Sequence, residues 1–310
     1  MRAGGRGEGD ASMTFWGELT DGTELLLGEP MEAQLLYDSD APASQLRAVF
    51  PAEKLWEDLA VVRVFHQGQV AFGGIVDEQN TALSGEGFTV ELIARSWEAL
   101  LLDNEARPAV LRSPSLGLLW ERYFQPLGLT SVVGDQSPKA GELAVEKGTS
   151  CWELLENFCR DYLGTAPWVD GKGTLHCEGP QETKVIAGRV LSAELSRLPC
   201  KQLSAVWQQS FRGTYDTPFR GAAGVKRQRY VSMEDGRDPR ALLRQGERES
   251  WLLSVECQGN SWPGPGALVT VETPRLGRFE DCPLRQARYI RDSRGERTRF
   301  VLERGKAVCG

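Results

Sequence analysis

The chain has 310 residues, of which 41% are hydrophobic and 25% charged. It can therefore bury a core, and it does not have the composition of a disordered protein. Its net charge of −7 argues against a generally basic nucleic-acid binder. No stretch approaches the roughly 18 apolar residues that a membrane-spanning helix needs. The charge is uneven, because residues 1–200 carry a net −14 and residues 201–310 a net +7, which indicates different domains or opposed surfaces for partners.

The first residues and the cysteines indicate a protein made in the cytoplasm. Residues 1–12 are rich in glycine and charge and lack the apolar stretch of a secretory signal, so we predict a flexible N-terminus. The cysteines are too widely spaced, and odd in number, for a secreted disulfide framework. We interpret them as reduced and mostly buried thiols. They are Cys151, Cys159, Cys177, Cys200, Cys257, Cys282 and Cys309.

Residues 13–105 show the two-residue alternation of half-buried antiparallel strands. Apolar residues alternate with polar ones around residues 31–37, 61–66 and 88–95. A short helix is expected at residues 96–102. We predict that this region is a first β-barrel domain. The glycines expected to separate its strands as turns or bulges are Gly68, Gly73, Gly74, Gly85 and Gly87.

Residues 106–185 follow a helical spacing instead. Ser115 precedes an amphipathic helix, and Ser150 with Glu153 forms the capping box of a second helix. The turn-prone residues 170–173 then separate two short apolar runs, which predicts a hairpin. We predict a small α+β domain here.

Strands resume in residues 186–310, which we predict to be a second β-barrel domain. Asp238 followed by Pro239 is typical of a helix start, so this domain is expected to contain a helical insertion near residues 238–249. Trp251 then opens an alternating strand, and further strands follow to the C-terminus.

The last strands repeat a pattern of the first domain. In both places a strand, a glycine turn and a further strand are followed by Gly-Glu and an alternating strand. The separations are similar, with 21 residues from Val64 to Gly85 and 24 from Val271 to Gly295. This internal echo indicates duplicated barrels.

Several stretches resemble one known family. Residues 71–78 read Ala-Phe-Gly-Gly-Ile-Val-Asp-Glu, and they are followed by a glycine turn, the alternating residues 88–95 and the stretch Ala-Leu-Leu-Leu-Asp-Asn-Glu-Ala at 99–106. This succession resembles the tail hub proteins of contractile-tailed phages, tailocins and related prophage particles, the late-control-D-like hub family. Residues 262–271 resemble a strand of that family's second barrel. The resemblance covers most of residues 13–305.

The resemblance implies a mainly β fold in which two tail-tube-like β-barrel domains flank a small α+β domain. It implies a structural baseplate hub rather than an enzyme, without catalytic residues, cofactor or metal. Such hubs are homotrimers whose six barrels form a pseudo-six-fold ring that joins the six-fold tail tube to the three-fold spike. The protein would then reside in a phage tail or phage-like contractile injection particle, assembled in the bacterial cytoplasm.

The expected partners follow from the same resemblance. They are further copies of the chain, the tail tube protein, the spike protein and neighbouring baseplate proteins, with the tape measure protein as a further candidate. No spike extension follows Leu302, so we expect the spike to be a separate polypeptide. Membrane insertion is not expected, and nucleic-acid binding is disfavoured.

Two sets of charged residues are the candidate partner interface. We expect Asp103, Asn104 and Glu105 to cap the end of the short helix or to contact a neighbouring chain. The C-terminal arginines are expected to form a solvated face or to pair with the acidic first barrel of a neighbour, which would help to fix the order of assembly. The arginines proposed for these contacts are Arg285, Arg288 and Arg291.

Two residue groups suggest reactive chemistry but fit it poorly. Cys151 lies at a predicted helix N-terminus beside Trp152, where a thiol nucleophile would be activated. Its only downstream histidine, His176, is 25 residues away, and a small buried residue is the preferred interpretation. A zinc site would combine His176 and Cys177 with earlier cysteines, but these residues lack the paired spacing of zinc ligands.

Carboxylates leave an enzymatic alternative open. Asp77, Glu78, Asp103 and Glu105 could act as glycosidase acids only if a pocket raised the pKa of one of them. The leading alternative to the hub is therefore a tail-associated cell-wall hydrolase. A carbohydrate- or nucleic-acid-binding β-barrel module is the third. A deep pocket with converging titratable groups favours the enzyme, and an exposed groove of arginine and aromatic residues favours the binding module.

Overall fold

A computed structural model describes residues 13–85, 87–179, 182–234 and 237–305. Residues 1–12 and Cys309, for which the sequence makes predictions, lie outside these ranges. The chain divides into two compact units. The first comprises residues 13–183, Gln258–Ala267 and Gln286–Thr298. The second comprises Lys184–Cys257, Leu268–Arg285 and residues 299–305.

The first unit begins with an antiparallel sheet in the order β3-β4-β7-β6-β5-β1-β2. Its strands alternate between buried and partly exposed residues, as the sequence predicts. Residues 286–291 of a later strand pair with β3. The strands are β1 (Thr14–Leu19), β2 (Glu24–Leu26), β3 (Glu32–Asp38), β4 (Gln45–Pro51), β5 (Leu59–His66), β6 (Gln69–Ser84) and β7 (Gly87–Ser96).

A mainly β fold with several sheets is confirmed, but the predicted closed barrel is not seen among the described strands. The sheet does not close into a barrel, because its last strand, β2, has only three residues, all exposed, and pairs with β1 alone. The sheet nevertheless covers one hydrophobic core. Phe15 and Phe50 meet edge to face there with ring centroids 5.7 Å apart, and Tyr289 is fully buried against them. Burial of each such aromatic ring contributes about 2 kcal/mol to stability.

The rest of the first unit is an α+β segment. Both predicted helix starts are confirmed, because Ser115 Oγ accepts from Leu118 N at 3.1 Å and Ser150 Oγ accepts from Glu153 N at 3.1 Å. Each of these helices continues into a π-helical turn, Trp120–Phe124 or Cys159–Leu163. The elements are α1 (Glu98–Asp103), β8 (Ala109–Arg112), α2 (Leu116–Leu119), β9 (Ser131–Val133), β10 (Glu142–Val145), α3 (Cys151–Phe158), β11 (Trp168–Val169) and β12 (Thr174–His176).

The predicted hairpin is β11–β12. Asp170 Oδ1 accepts from the backbone N–H groups of Lys172 and Thr174, both at 2.9 Å, which is the side-chain-to-backbone bonding that favours aspartate in turns. The helices pack their apolar faces on a second core that includes Leu116, Leu154 and Phe158, all fully buried.

The second unit is built mostly of strands. Asp238 Oδ1 accepts from Arg240 N at 2.9 Å, and Pro239 is the first residue of the predicted helix, which ends at Glu249. The elements are β13 (Thr183–Ile186), β14 (Val190–Arg197), β15 (Ala205–Gln208), β16 (Pro218–Arg220), β17 (Gln228–Val231), α4 (Pro239–Glu249), β18 (Trp251–Gln258), β19 (Ala267–Thr273), β20 (Gly277–Asp292) and β21 (Gly295–Leu302). None of the described helices combines the length and hydrophobicity needed to span a bilayer.

The internal echo corresponds to two similar three-strand meanders. β5, β6 and β7 follow one another, as do β19, β20 and β21, and the middle strand of each set has 16 residues. β20 and β21 contribute residues to both units. Glu86, part of the Gly-Glu turn in the first copy, lies outside the described residues.

Candidate functional site

The glycine pair of the family-like stretch lies inside β6, in a regular part of the strand and at neither a turn nor a bulge, which corrects the sequence prediction. A Cβ atom on Gly73 would lie 2.0 Å from the carbonyl oxygen of Gly171. A Cβ atom on Gly74 would lie 2.0 Å from the carbonyl oxygen of Arg95. No real Cβ atom approaches backbone so closely, so these positions require glycine because of their neighbours.

The charged residues of the same stretch form one network. The Arg95 guanidinium donates to both oxygens of Asp77, at 2.7 and 2.9 Å, and to both oxygens of Asp103, at 3.1 and 2.6 Å. The hydrogen bonds from Arg95 lower the pKa of Asp103. Asp77 and Asp103 therefore act as partners of an arginine and not as the acid of a glycosidase.

The end of α1 is tied to the start of α3. The Asn104 side chain donates to Leu100 O at 2.7 Å, so the predicted capping of the helix end is confirmed for this residue. Asn104 O accepts from Cys151 N at 2.8 Å, and Glu105 forms an isolated β-bridge with Ser150. Side chains of Asp103 and Glu105 are largely exposed. Their contact with a neighbouring chain stays a prediction.

The three candidate arginines lie on β20. Arg291 shares one strand face with the buried Tyr289, and Arg288 is on the other face. Arg291 pairs with Glu29 at 2.7 Å and with Glu296 at 3.2 Å. Part of the predicted pairing with acidic residues is thus made within one chain. Contacts of these arginines with another chain stay a prediction.

The described cysteines are free thiols, and all except Cys200 are buried. Burial raises the pKa of the Cys151 thiol to about 11, which is the opposite of nucleophile activation. Among the residues that the structure describes, no group of three or more histidine, cysteine or acidic side chains could hold a metal ion. The structural interpretation of Cys151 therefore fits better than the catalytic one.

The first unit contains a cavity of about 850 Å³. Its lining comes from the β3–β4 and β5–β6 connections, the start of α1, α3, the hairpin β11–β12 and the loop before β19. The chemically distinctive lining residues are Tyr37, Asp38, Asp40, His66, Glu98, Trp152, Glu156, Trp168, Asp170, His176, Glu178 and Trp262.

Glu98 is the buried carboxylate of this cavity. Ser96 Oγ donates to its Oε2 at 2.5 Å and Val169 N donates to its Oε1 at 3.0 Å. Burial nevertheless dominates and raises the pKa of Glu98 to about 7, because removal from water disfavours the charged form. Glu98 thereby links the end of the first sheet to β11.

An aromatic pair lies beside it. The Trp168 and His176 rings stack in parallel with centroids 4.2 Å apart. His176 Nδ1 is 2.9 Å from a Glu178 oxygen, and His176 Nε2 is 3.5 Å from an Asp170 oxygen. This pairing fixes the ring plane of the histidine and places two carboxylates next to it.

Four buried nitrogen atoms of the cavity lining have no hydrogen-bond partner among the described residues. They are Nε2 of His66, Nε1 of Trp152, Nε1 of Trp168 and Nε2 of His176, of which the last lies at ion-pair distance from Asp170 without the geometry of a hydrogen bond. Buried polar atoms are normally satisfied, whether they donate, as the indole nitrogens do, or have a role set by the tautomer, as the histidine nitrogens do. All four atoms are almost inaccessible, so they lie behind the cavity surface rather than on it.

No pattern in the sequence indicates this cavity. Glu98 follows Ser96 and Trp97 and has the pattern of an ordinary acidic residue at the start of a helix. Its burial depends on the hairpin residue Val169, 71 residues later in the chain. His176 and Glu178 are two residues apart in the sequence, so their proximity could be predicted. The cavity that they line could not be predicted.

The fold is that of phage tail proteins, as the resemblance in the sequence led us to expect. The tail protein from Neisseria meningitidis MC58 superimposes with a TM-score of 0.68 at 17% identity, covering 94% of this chain and 96% of that one. The prophage MuSo2 43 kDa tail protein from Shewanella oneidensis gives 0.77 at 14% identity, covering 94% and 98%. No protein-family model and no curated protein sequence matches the chain.

A protein of a secretion system has the same fold. The E. coli c3393 protein is described as a component of the type VI secretion system with structural similarity to the T4 bacteriophage tail proteins gp27 and gp5. It gives a TM-score of 0.54 at 9% identity, covering 90% of this chain and 74% of that one. The fold is therefore shared between phage tail proteins and a component of the type VI secretion system.

Proposed function

We propose that this protein is a structural component of the tail of a phage or phage-like contractile particle, and that it acts as the hub between the tail tube and the spike. The observation that carries the proposal is the extent of the structural similarity. Two tail proteins match over nearly the full length of both chains, so the similarity includes the whole arrangement of elements and not a single common domain.

The hub role would use two similar β domains in each of three chains. The paired meanders β5–β7 and β19–β21, each with a 16-residue middle strand, support residues 13–105 and 186–305 as these domains, with residues 106–185 between them. The open end of the first sheet at β2 leaves backbone groups for pairing. In a closed ring, neighbouring chains would pair such edges and remove the risk of uncontrolled association.

Charge supports the same arrangement. The acidic first 200 residues and the basic last 110 residues would attract one another between neighbours. Asp103, Glu105, Arg285 and Arg288 are the residues that we propose for these contacts. Arg291 belongs to the same set, and both it and Asp103 would share the partners that they already have within the chain, Glu29 and Glu296 for Arg291 and Arg95 for Asp103.

The experiment is co-expression of the full chain with the candidate tube and spike proteins of the same particle. Native mass spectrometry and electron microscopy of the purified product would then report its composition and symmetry. We expect three copies of this chain in a ring that binds both partners. A chain that remains monomeric in the presence of both partners would refute the hub.

A cell-wall hydrolase is the second candidate, because the cavity holds titratable groups and the pKa of Glu98 is about 7. We favour the structural role because both oxygens of Glu98 accept hydrogen bonds from the protein. Assays on purified peptidoglycan decide between them. Hydrolysis by the wild type that disappears in Glu98→Gln would establish the enzyme, and we expect neither protein to hydrolyse it.

A further inference from the structure

We propose that the small sheet β16-β15-β17 of the second unit binds single-stranded nucleic acid on its open face, the face that carries Trp207, Arg220 and Tyr230. The proposal rests on three features of this sheet: one uncovered face, aromatic rings on that face, and cations that form no ion pair. It goes beyond the structural role proposed above and does not rest on it, since each feature belongs to the second unit alone.

The helix α4 packs on one face of the sheet and leaves the other face open. Val206 and Phe219 are direct partners on β15 and β16 and therefore share a face. Val206 is fully buried, and the Arg240 guanidinium of α4 lies 5.7 Å from the centroid of the Phe219 ring. Successive residues of a strand point to opposite faces, so Trp207 lies on the face away from α4.

Two aromatic rings lie side by side on the open face. Trp207 and Tyr230 are direct partners on β15 and β17, and their rings are nearly parallel, 12° apart, with centroids separated by 6.2 Å. Trp207 Nε1 donates to Gln228 Oε1 at 2.8 Å, and Tyr215 packs edge to face against Tyr230 at 5.3 Å. Both rings are thus held in place, yet Tyr230 remains 62% exposed. Exposed rings of this kind provide stacking surfaces for unpaired bases.

The charge of this segment has the opposite sign to that of the whole chain. Residues 203–233 contain five Lys or Arg side chains, and Asp216 is their one carboxylate. All five cations are exposed, and none forms an ion pair with a described residue. Their charge is therefore free to attract the phosphates of a nucleic acid. These cations are Arg212, Arg220, Lys226, Arg227 and Arg229.

The composition of the open face favours a nucleic acid over a protein partner. The centre of a protein interface is depleted of charged residues, whereas Arg220 lies on the same face as the two rings, two residues along β16 from the partner of Trp207. The aliphatic side chains Val206 and Val231 are buried and offer a partner no apolar pocket. Aromatic rings beside exposed arginines supply the two contacts that a single strand makes, stacking and phosphate pairing.

The test measures binding of a fluorescein-labelled oligo(dT) of about 20 nucleotides to the full chain by fluorescence anisotropy. We expect at least tenfold tighter binding than for a duplex of equal length, because a duplex hides the faces of its bases in its own stack. We expect about tenfold weaker binding when the salt is raised from about 50 to 200 mM, the effect of about three phosphate contacts on a single strand. Oligoglutamate of similar length is the comparison for an acidic protein segment.

Two changes to the aromatic ring test stacking. Tyr230→Ala removes an exposed ring, and we expect about tenfold weaker binding of oligo(dT), the effect of losing one stacked base. Tyr230→Phe keeps the ring and removes only the hydroxyl group, so its affinity should stay within about twofold of wild type. Circular dichroism and thermal melts check that both variants are folded.

A second pair of variants tests the cations. Arg220→Gln with Lys226→Gln removes two exposed charges of this surface, and we expect about tenfold weaker binding and a smaller salt dependence. The matched control is Lys54→Gln with Arg275→Gln, which removes one exposed Lys and one exposed Arg outside residues 203–233. The control should bind oligo(dT) as wild type does.

Three outcomes would overturn the proposal. The first is no binding of oligo(dT), or equal binding of single strand and duplex. The second is binding of oligoglutamate as tightly as oligo(dT), which would make the face a site for an acidic protein segment. The third is equal affinity of Tyr230→Ala, the Arg220 and Lys226 double variant and the control, which would place the binding elsewhere. Particle assembly does not enter the assay, so the hub proposal is tested separately.

Discussion

Gly73 in β6 and Gly171 in the β11–β12 turn approach so closely that a Cβ atom on Gly73 would lie 2.0 Å from the carbonyl oxygen of Gly171. The same oxygen accepts a hydrogen bond from Trp97 Nε1 at 3.2 Å. The contact joins the first sheet to the hairpin of the α+β segment. Two glycines far apart in sequence thus determine how the two cores of the first unit meet.

We predict that Gly73→Ala destabilises the protein by about 3 kcal/mol, because the added methyl group must displace backbone rather than a flexible side chain. Urea unfolding at neutral pH measures the effect. Gly85→Ala is the matched control, since an added Cβ there meets nothing within 4 Å, and its effect should stay below about 0.5 kcal/mol. Equal stabilities of the two variants would contradict the close approach.

The Arg95 network should contribute modestly to stability. We predict that Arg95→Gln lowers the free energy of unfolding by about 1–2 kcal/mol at pH 7, since two bidentate but partly exposed pairs are lost. Arg112→Gln is the control, because its side chain is 87% exposed and pairs with an exposed Glu142. Adding Asp103→Asn to Arg95→Gln should change little further, because both act on one network.

The same network has a defined pH dependence. Arg95 lowers the pKa of Asp103 in the folded state. The stabilisation is therefore present at neutral pH and is lost as the pH falls below about 4. Unfolding of the wild type and of Arg95→Gln is measured between pH 2.5 and 7. We expect the difference between their free energies of unfolding to become smaller at the acidic end. A difference independent of pH would mean that Asp103 does not contribute through its charge.

Glu98 should have the opposite pH dependence. Its pKa is about 7 in the folded protein and near 4.5 as a free side chain, so the unfolded chain ionises first as the pH rises. This residue therefore destabilises the fold progressively from about pH 4.5 to 7, by roughly 3 kcal/mol in total. We predict that Glu98→Gln gains that amount relative to wild type between pH 4.5 and 8. A difference in the free energy of unfolding between wild type and variant that stays constant over this pH range would contradict the prediction.

The thiols should differ in reactivity according to burial. The experiment uses a Cys309→Ser variant and iodoacetamide at pH 7.5. We predict that the exposed Cys200 is alkylated, while Cys151 and Cys257 react at least ~100-fold more slowly. Burial slows these two thiols because it raises the pKa of each to about 11. Mass spectrometry of the modified peptides measures the rates. Rapid alkylation of Cys151 would instead restore the thiol-enzyme hypothesis.

Much of the local structure could be predicted from the sequence. The alternation around residues 61–66 and 88–95 predicted strands that the structure confirms, and the caps at Ser150 and Asp238 were predicted to the residue. These features depend on neighbours a few residues away, so the hydrophobic period and the chemistry of the capping residue are sufficient to predict them. The glycine pair in β6 was wrongly assigned to a turn or a bulge. Glycine is required there because the two positions contact the backbone of Gly171 and Arg95, which are distant in sequence.

The sequence by itself determined the strand and helix periods, the turn chemistry of residues 170–173 and the separation of acidic and basic halves, since all three are properties of local composition. Only the tertiary structure decided that the first sheet ends openly at β2, that Arg95 binds Asp77 and Asp103 together, and that Glu98 is buried against β11. Strand pairing, close backbone approach and desolvation each require elements distant in sequence to be brought together, and no local pattern records which elements will meet.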